Sequence, residues 1–503
     1  MKEVNVSRRC FLAGAGAFGA WGAFGGNRFL PGVAGGRPKL KLGVVSDVHV
    51  RLAPDGVGLH EANDTRPFVH ALEWFRDQGV DAVMLTGDMA DYGLVREMEA
   101  VAAAWFKVFP DDKAPDGRTV TRLFVYGNHD WEGSTYGRFV KKTFPDPAMR
   151  AKEILRTDYK GNWERIWHEA YTPVWMKSVN GYSFVGGHWS TDHCRHANEV
   201  GVVGVPEFFS AHGKELDPSL PFFYCQHPNP KNTCYGNWSW GCDNGASTKV
   251  LSAYPNAIAF SSHNHFSPVD ERTIWQGAFT SVGAGSLHHA GRPFNEFDSE
   301  GGYENAGGNS RNRKGTVGKL MEQVRLKEAR NGMLLTVCED SVTIARRDFT
   351  YDCALGPDWV LPLPAAESKP FAFAEHAKRF SAPQFPEGAV LKVERALHKG
   401  KLKKGIDVFN LTVPAAVQTF ANRVWRYEVG VETKDGGKVV LTRRVLSPDY
   451  HLPLEKAKKS FVLPMPVVDL PQDGDFRFTV TPFNCFGRAG RPLATGDMKV
   501  ART

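Results

Sequence analysis

Apolar and polar positions follow two alternating periods along the first part of the chain. Short apolar runs at residues 39–46 and 81–86, and a third run ending at Tyr126, predict buried strands. Between them, residues 66–78 and 94–105 place apolar side chains at the i, i+3, i+4, i+7 spacing of an amphipathic helix. Strand and helix therefore alternate, which is typical of a layered α/β domain with largely parallel central strands.

The same reading extends to the carboxyl terminus. Further helices are predicted at residues 147–153 and 162–170, and further strands at 182–187, 222–226, 257–261, 279–282, 333–337 and 342–346. Prolines and alanines from residue 357 onward indicate a linker over residues 357–384, so the α/β domain is predicted at 39–356. Short β-type runs separated by turn residues predict a small all-β sandwich at 385–503, resembling a fibronectin type III module.

The first 34 residues have the pattern of a targeting segment. Arg8 and Arg9 precede an uncharged run, residues 11–27, that contains six glycines. This pattern resembles a twin-arginine export signal, and it is too glycine-rich for the roughly 20 apolar residues of a membrane span. We therefore expect an exported protein, periplasmic or extracellular, without a stable membrane anchor.

Composition narrows the class of protein. Apolar residues make up 42% and charged residues 23% of the 503 residues, as in globular proteins that bury a core. The formal charge is +7 without a basic block, so we expect no dedicated nucleic-acid binding. Cys234 and Cys242 bracket a short loop, which is compatible with a disulfide and equally with two free thiols.

Polar side chains follow five of the predicted strands at the point where each strand ends. They are aspartate, histidine and asparagine, in the groups Asp47 and His49, Asp88, Asn128 and His129, His227, and His263 and His265. Because the carboxyl ends of strands in an α/β sheet share one edge, we expect these groups to meet there. Carboxylate, imidazole and amide oxygen are ligands that Mn, Fe and Zn accept, and there are enough of them for two ions.

These groups carry a family resemblance. Asp47-x-His49, Gly87-Asp88, Gly127-Asn128-His129-Asp130, a lone His227 and His263-x-His265 resemble, in order and spacing, the calcineurin-like metallophosphoesterase family over roughly residues 39–350. The resemblance implies an αββα sandwich of two mixed β-sheets flanked by helices. It implies one metal ion bound by Asp47, His49, Asp88 and His265, and a second bound by Asp88, Asn128, His227 and His263.

Two positions depart from the family pattern. Ser262 stands where the family usually has glycine before the final His-x-His. Asp91 stands where the purple acid phosphatase branch has tyrosine, and His49 supplies a ligand instead, which disfavours that branch.

The resemblance also implies an activity. Two divalent or trivalent ions (Mn, Fe or Zn) would hold a bridging hydroxide that attacks a small-molecule phosphodiester or phosphomonoester. His129 would assist the leaving oxygen, and Asp130 would fix the tautomer of His129. The alternative is a vestigial metallo-domain in a polysaccharide- or cell-wall-binding protein. The sequence leaves the oligomeric state open.

Five further residues are candidates for substrate contact. His193 and His196 are interpreted as part of a loop at the mouth of the site, with a third metal site as the alternative. Tyr235, Trp238 and Trp240 follow His227 closely and offer aromatic faces for a base, sugar or aryl group. The alternative for these aromatic residues is packing of their loop against its own domain.

Overall fold

The strands of the first part of the chain form two mixed sheets. The computed structural model describes residues 37–135, 138–190, 202–236, 240–291, 302–306, 317–398, 405–420, 422–434, 437–470 and 474–500. In chain order the strands of this part are β1 (Leu40–Val45), β2 (Ala82–Leu85), β3 (Thr121–Phe124), β4 (Val174–Val179), β5 (Tyr182–Gly187), β6 (Phe222–Cys225), β7 (Ala257–Ser261), β8 (Ile274–Gln276), β9 (Thr280–Gly283), β10 (Asn331–Val337), β11 (Ser341–Asp348), β12 (Cys353–Ala354) and β13 (Trp359–Pro362).

Each sheet contains a block of neighbouring parallel strands. The first sheet runs β12-β11-β10-β1-β2-β3, with β13 also paired to β11, and β1, β2 and β3 are parallel. The second runs β4-β5-β6-β7-β9-β8, with β5, β6, β7 and β9 parallel. The carboxyl ends of the parallel strands in each sheet therefore lie at one edge. The predicted mixed α/β class is confirmed.

The chain also forms helices. They are α1 (Arg66–Gln78), α2 (Val95–Val108), α3 (Asn128–Glu132), α4 (Phe139–Thr143), α5 (Pro147–Glu153), α6 (Tyr159–Trp167), α7 (Val205–His212), α8 (Ala246–Leu251), α9 (Val317–Leu320) and α10 (Phe373–Lys378). Five of them (α1, α2, α6, α7 and α8) pack against these two sheets. The predicted apolar face of α1 is buried, through Phe68, Ala71, Leu72 and Phe75. One apolar core lies between α1, α2, α6 and the first sheet, and another lies between α7, α8 and the second. A third core draws side chains from both sheets.

The segment predicted as a linker, residues 357–384, is not one. Its β13 extends the first sheet, and Trp359 and Leu361 of that strand are buried in the core shared by both sheets. The short helix α10 follows. Proline and alanine content suggested a linker, but alternation of Trp359 and Leu361 with more exposed neighbours is the period of a strand with one buried face.

The C-terminal region is all-β. Its strands are β14 (Lys392–His398), β15 (Ile406–Pro414), β16 (Arg426–Thr433), β17 (Val439–Leu446), β18 (Ser460–Pro466), β19 (Gly474–Phe483), β20 (Leu493–Ala494) and β21 (Met498–Val500). They form a three-stranded and a five-stranded antiparallel sheet around one apolar core that includes Leu411, Val429, Leu463 and Val480. Its assignment to the fibronectin type III fold stays a prediction.

Two findings concern the terminal segments and the membrane. The predicted leader, residues 1–34, lies outside the described residues. Among the helices that the structure describes, none has the length and apolar character needed to cross a bilayer.

Candidate metal centre

The predicted ligands leave the ends of their strands in an uncommon backbone conformation. Asp47, His49, Asp88, His263 and His265 all have positive φ, between 50° and 67°. Residues other than glycine rarely adopt this left-handed region, and it is concentrated at functional sites where the surrounding structure holds it. The tight turns let two residues that are two positions apart, such as Asp47 and His49, contribute to one site.

The first group of ligands is buried beyond the ends of β1, β2 and β7. It contains Asp47, His49, Asp88 and His265, each offering an atom within 4.8 Å of the others. His265 Nε2 lies 2.9 Å from Asp47 Oδ1 and 3.2 Å from His49 Nε2. His49 Nε2 lies 3.6 Å from Asp88 Oδ2. The structure thus brings together the four side chains that the sequence assigns to one ion.

The second group shares Asp88 with the first. Asp88, His227 and His263 offer atoms within 4.8 Å of one another. His227 Nε2 lies 3.1 Å from Asp88 Oδ2, 3.0 Å from Asn128 Oδ1 and 3.2 Å from His263 Nδ1. Asn128, at the first turn of α3, therefore faces this group as the sequence predicts.

The donor set fits cations. Both carboxylate oxygens of Asp47 and the Oδ2 of Asp88 are buried and accept no hydrogen bond of good geometry from the described residues. A buried carboxylate without donors is costly unless a positive charge faces it. The effect of this charge is seen at His227. Burial opposes protonation of its ring, but the negative charge of Asp88 outweighs burial and raises the pKa of His227 to about 9. Oxygen and imidazole ligands of this kind suit Mn, Fe or Zn.

Neighbouring groups orient the ligand imidazoles. His227 Nδ1 donates to the carbonyl of Thr86 at 2.7 Å, which leaves Nε2 for an ion. His49 Nδ1 lies 3.0 Å from Asp91 Oδ1, which directs the Nε2 of His49 the same way. Burial opposes ionisation of Asp91, but His49 and Arg51 hold the pKa of its carboxyl below its usual value. Asp91 is thus a charged partner of a ligand, a role that the sequence did not reveal.

Two glycines let Asp88 reach the centre. A Cβ on Gly127 would collide with Asp88 Oδ1, and a Cβ on Gly87 would come within 2.6 Å of His227 Nδ1. Gly87 also has φ of 103°, which favours glycine. Ser262 stands at the family's usual glycine position, but its backbone does not have the positive φ that favours glycine. Its hydroxyl donates to the carbonyl of Gly285 at 2.7 Å.

His129 and Asp130 have different surroundings from those expected. His129 Nδ1 donates to the main-chain carbonyl of Asp91 at 2.7 Å. Asp130 instead accepts from the backbone N–H groups of Ala90 and Gly127 at 2.7 and 2.8 Å. It is the third residue of α3, and its carboxylate accepts the N–H of the N-cap residue Gly127, which is one half of a capping box. The prediction that Asp130 fixes the tautomer of His129 is corrected: the Asp91 carbonyl does so.

Electrostatics separate these two residues further. Burial raises the pKa of Asp130 to about 7, and the nearby charge of Asp88 adds to that shift. Burial lowers the pKa of His129, which makes its protonated form a stronger acid.

A cleft of about 410 Å³ opens onto the centre. Its lining includes ligands of both groups together with Arg51, Asp91, His129, Trp240, His288 and His289. Trp240 packs on the His263 ring at 5.1 Å, so this predicted contact residue does face the cleft. His193, His196 and Trp238 lie outside the described residues.

Tyr235, the other described aromatic residue of this loop, packs inward. Tyr235 is buried against Phe266, and its hydroxyl lies 2.5 Å from Thr273 Oγ1, away from the cleft lining. Packing against its own domain, the alternative interpretation, therefore describes Tyr235. Cys234 and Cys242 are both free thiols, so of the two possibilities for this pair the structure shows free thiols and not a disulfide.

Comparison with known families agrees with this geometry. Residues 40–266 match the family model described as calcineurin-like phosphoesterase. Residues 40–266 are a calcineurin-like phosphoesterase domain. No curated protein matches the chain. This range contains all of the candidate ligands described above, from Asp47 to His265.

Solved structures with partial likeness include a predicted phosphoesterase of unknown role from Streptococcus pneumoniae TIGR4 (10% identity, 64% of this chain and 97% of that chain, TM-score 0.25). A second is a purple acid phosphatase from yellow lupin seeds (12% identity, 65% of this chain and 55% of that chain, TM-score 0.35). A third is vacuolar protein sorting 29 from Cryptosporidium parvum (8% identity, 64% of this chain and 95% of that chain, TM-score 0.25). At these TM-scores the family assignment rests on the sequence match and the ligand geometry.

Proposed function

We propose that the protein is an exported two-metal phosphoesterase that hydrolyses a phosphodiester or phosphomonoester. The observation that carries the proposal is the sharing of Asp88 by two buried ligand groups. Asp47, His49, Asp88 and His265 would hold one ion, and Asp88, Asn128, His227 and His263 the other. Two ions, Mn, Fe or Zn, would polarise the phosphoryl group and acidify a bound water.

The chain's own residues would supply orientation and a proton. Asp88 Oδ1 accepts the backbone N–H of His129 at 2.8 Å, which fixes the shared carboxylate relative to α3. The carbonyl of Asp91 occupies Nδ1 of His129, so Nε2 is the atom that would carry a proton to the leaving oxygen. Asp130 would act indirectly, by holding the start of α3.

Other features of the chain support the proposed substrate contacts, domain architecture and export. Trp240 offers an aromatic face beside His263 for a base or aryl group, and His193, His196 and Trp238 are proposed for the same mouth. The core shared by both sheets supports an αββα sandwich, followed by a fibronectin type III-like module. The twin-arginine pattern supports export to the periplasm or beyond.

Metal analysis and a substrate panel test the proposal together. The folded full-length protein is assayed for bound metal, then for hydrolysis of an aryl phosphomonoester, an aryl phosphodiester and a nucleotide diphosphate. We expect about two ions per chain and turnover that a chelator abolishes. Less than one ion per chain, with no hydrolysis after Mn, Zn or Fe is added, would favour the binding-protein alternative.

A further inference from the structure

We propose that His288 binds the substrate, by donating an N–H from its imidazole to a phosphoryl oxygen. The inference rests on the proposed phosphoesterase function and adds a contact outside the ligand groups and outside residues 40–266. It comes from three observations: a turn tied to the metal ligands, a side chain that fixes the imidazole proton, and a place in the cleft.

The turn that carries His288 is anchored to the strand end of Asp47. Ser286 is buried, and its hydroxyl donates to the carbonyl of Asp47 at 3.3 Å. The same hydroxyl oxygen accepts the backbone N–H groups of His288 and His289, at 3.0 and 3.3 Å. Arg330 donates to the carbonyl of His288 at 3.3 Å. The turn is therefore held in place by side chains on both sides of it.

Asn63 determines which nitrogen of His288 carries the proton. Its Nδ2 lies 3.4 Å from the carbonyl oxygen of His49, 3.0 Å from His288 Nδ1 and 3.5 Å from His288 Nε2, so Nδ1 is the nearer of the two ring nitrogens. A carbonyl only accepts, so the atom that faces it must be the amide NH₂. That NH₂ has a second hydrogen for the nearer ring nitrogen, His288 Nδ1, which then accepts. The neutral ring of His288 consequently carries its proton on Nε2.

The ring of His288 lies beside the metal centre. Its ring lies 5.0 Å from the ring of the ligand His49, centroid to centroid, and it lines the cleft together with His129. Phosphoryl oxygens are acceptors that carry negative charge, so hydrogen bonds to them are among the stronger ones in proteins. A neutral N–H donor beside the first ligand group can hold such an oxygen without competing with the ions for the carboxylates.

Phosphate binding tests the inference separately from catalysis. Inorganic phosphate is titrated calorimetrically into the full-length protein loaded with Mn. We expect His288→Ala to weaken phosphate binding about tenfold, as for loss of one hydrogen bond to a charged group, with metal content unchanged. His288→Gln, which keeps an N–H donor, should stay within about threefold of the wild type. His212→Ala, at an exposed histidine on α7, is the matched control and should change nothing.

A double-variant cycle tests the part played by Asn63. Asn63→Ala should weaken phosphate binding about threefold alone and add nothing in the His288→Ala background, because it acts through that ring. Unchanged affinity in His288→Ala, loss of metal from that variant, or additive losses in the double variant would each overturn the assignment. If wild-type protein binds phosphate through His288 but hydrolyses no phosphoester, the proposed function fails while the phosphate contact stands.

Discussion

At the scale of single residues, the centre divides the two nitrogens of a histidine between different tasks. In His227 and His49 one ring nitrogen faces the protein, at Thr86 and Asp91, and the other faces the site. In His129 one ring nitrogen faces the carbonyl of Asp91, and the residue lines the cleft without belonging to either ligand group. His49 and His227 belong to the two ligand groups that share Asp88 and would bind metal, whereas His129 lies beside those groups and would move a proton.

Substitution of His129 should therefore separate metal binding from turnover. We expect His129→Ala to lower kcat about 10²- to 10⁴-fold, the usual contribution of a general acid, while metal content stays near that of the wild type. Asp88→Asn should reduce both, because Asp88 serves both ligand groups. Metal analysis and steady-state kinetics on the same preparations measure the two effects. Full activity in His129→Ala would contradict its proposed role.

At the scale of elements, β13 and α10 are fastened to the α/β domain by a buried ionic network. Glu271 accepts from Arg346 at 2.8 Å and from the indole N–H of Trp359 at 2.7 Å, and lies 3.2 Å from His376 Nε2. The guanidinium of Arg346 also lies 4.1 Å from the ring centre of Trp359. Strand, helix and domain thus meet at one carboxylate.

Because of this network, the free energy of unfolding depends on pH in the acidic range. Burial opposes ionisation of Glu271, but Arg346 and His376 lower its pKa from 4.5 to about 2. An acid whose pKa is lowered by folding stabilises the fold above its unfolded pKa, and that contribution is lost as the pH falls toward its folded pKa. The stabilisation is therefore complete above about pH 4.5 and disappears between pH 4.5 and pH 2.

Glu271→Gln tests this dependence. We expect the variant to lose about 3 kcal/mol of unfolding free energy at neutral pH, because Arg346 stays buried without its anion. The difference from the wild type should shrink as the pH falls from 4.5 toward 2. Denaturant titrations across that range measure it, with Glu375→Gln, at an exposed glutamate of α10, as the control. A difference that does not vary with pH would exclude the ionic explanation.

The sequence predicts the core elements and the ligand positions, but not the residues that surround the ligands. Apolar periodicity gives the core strands and the buried face of α1, and the strand ends give the ligand positions. Asp91, Asn63 and His288 are not predicted, because they lie in short segments between the strands and α-helices, and the direction of such segments depends on tertiary contacts such as that of Ser286 with Asp47. The role of Asp130 was missed because a capping acid and an acid that orients a histidine look alike in sequence.

At the scale of the whole molecule, the metal centre concentrates buried negative charge where the two sheets and their loops meet. Asp47 and Asp88 are almost completely buried, at 0% and 1% exposure, and both have oxygens that accept no hydrogen bond of good geometry from the described residues. Bound cations would therefore stabilise the fold as well as serve chemistry.

Removal of metal should lower the stability of the whole protein. We expect a chelator to lower the midpoint of thermal unfolding by several degrees, because ions that bind only the folded state stabilise it by about 3 kcal/mol at a hundredfold excess over Kd. Added Mn or Zn should restore it. Asp88→Asn, with a weakened site, should respond less. An unchanged midpoint in protein shown to be free of metal would contradict this expectation.

The position of β1 has a consequence for how the protein is made. This strand, which delivers Asp47, lies between β2 and β10, and β10 is encoded far downstream at Asn331–Val337. A nascent chain still held on the ribosome cannot complete that sheet until β10 has emerged. We therefore expect the first ligand to reach its final place late in synthesis, after its partner histidines have already been made.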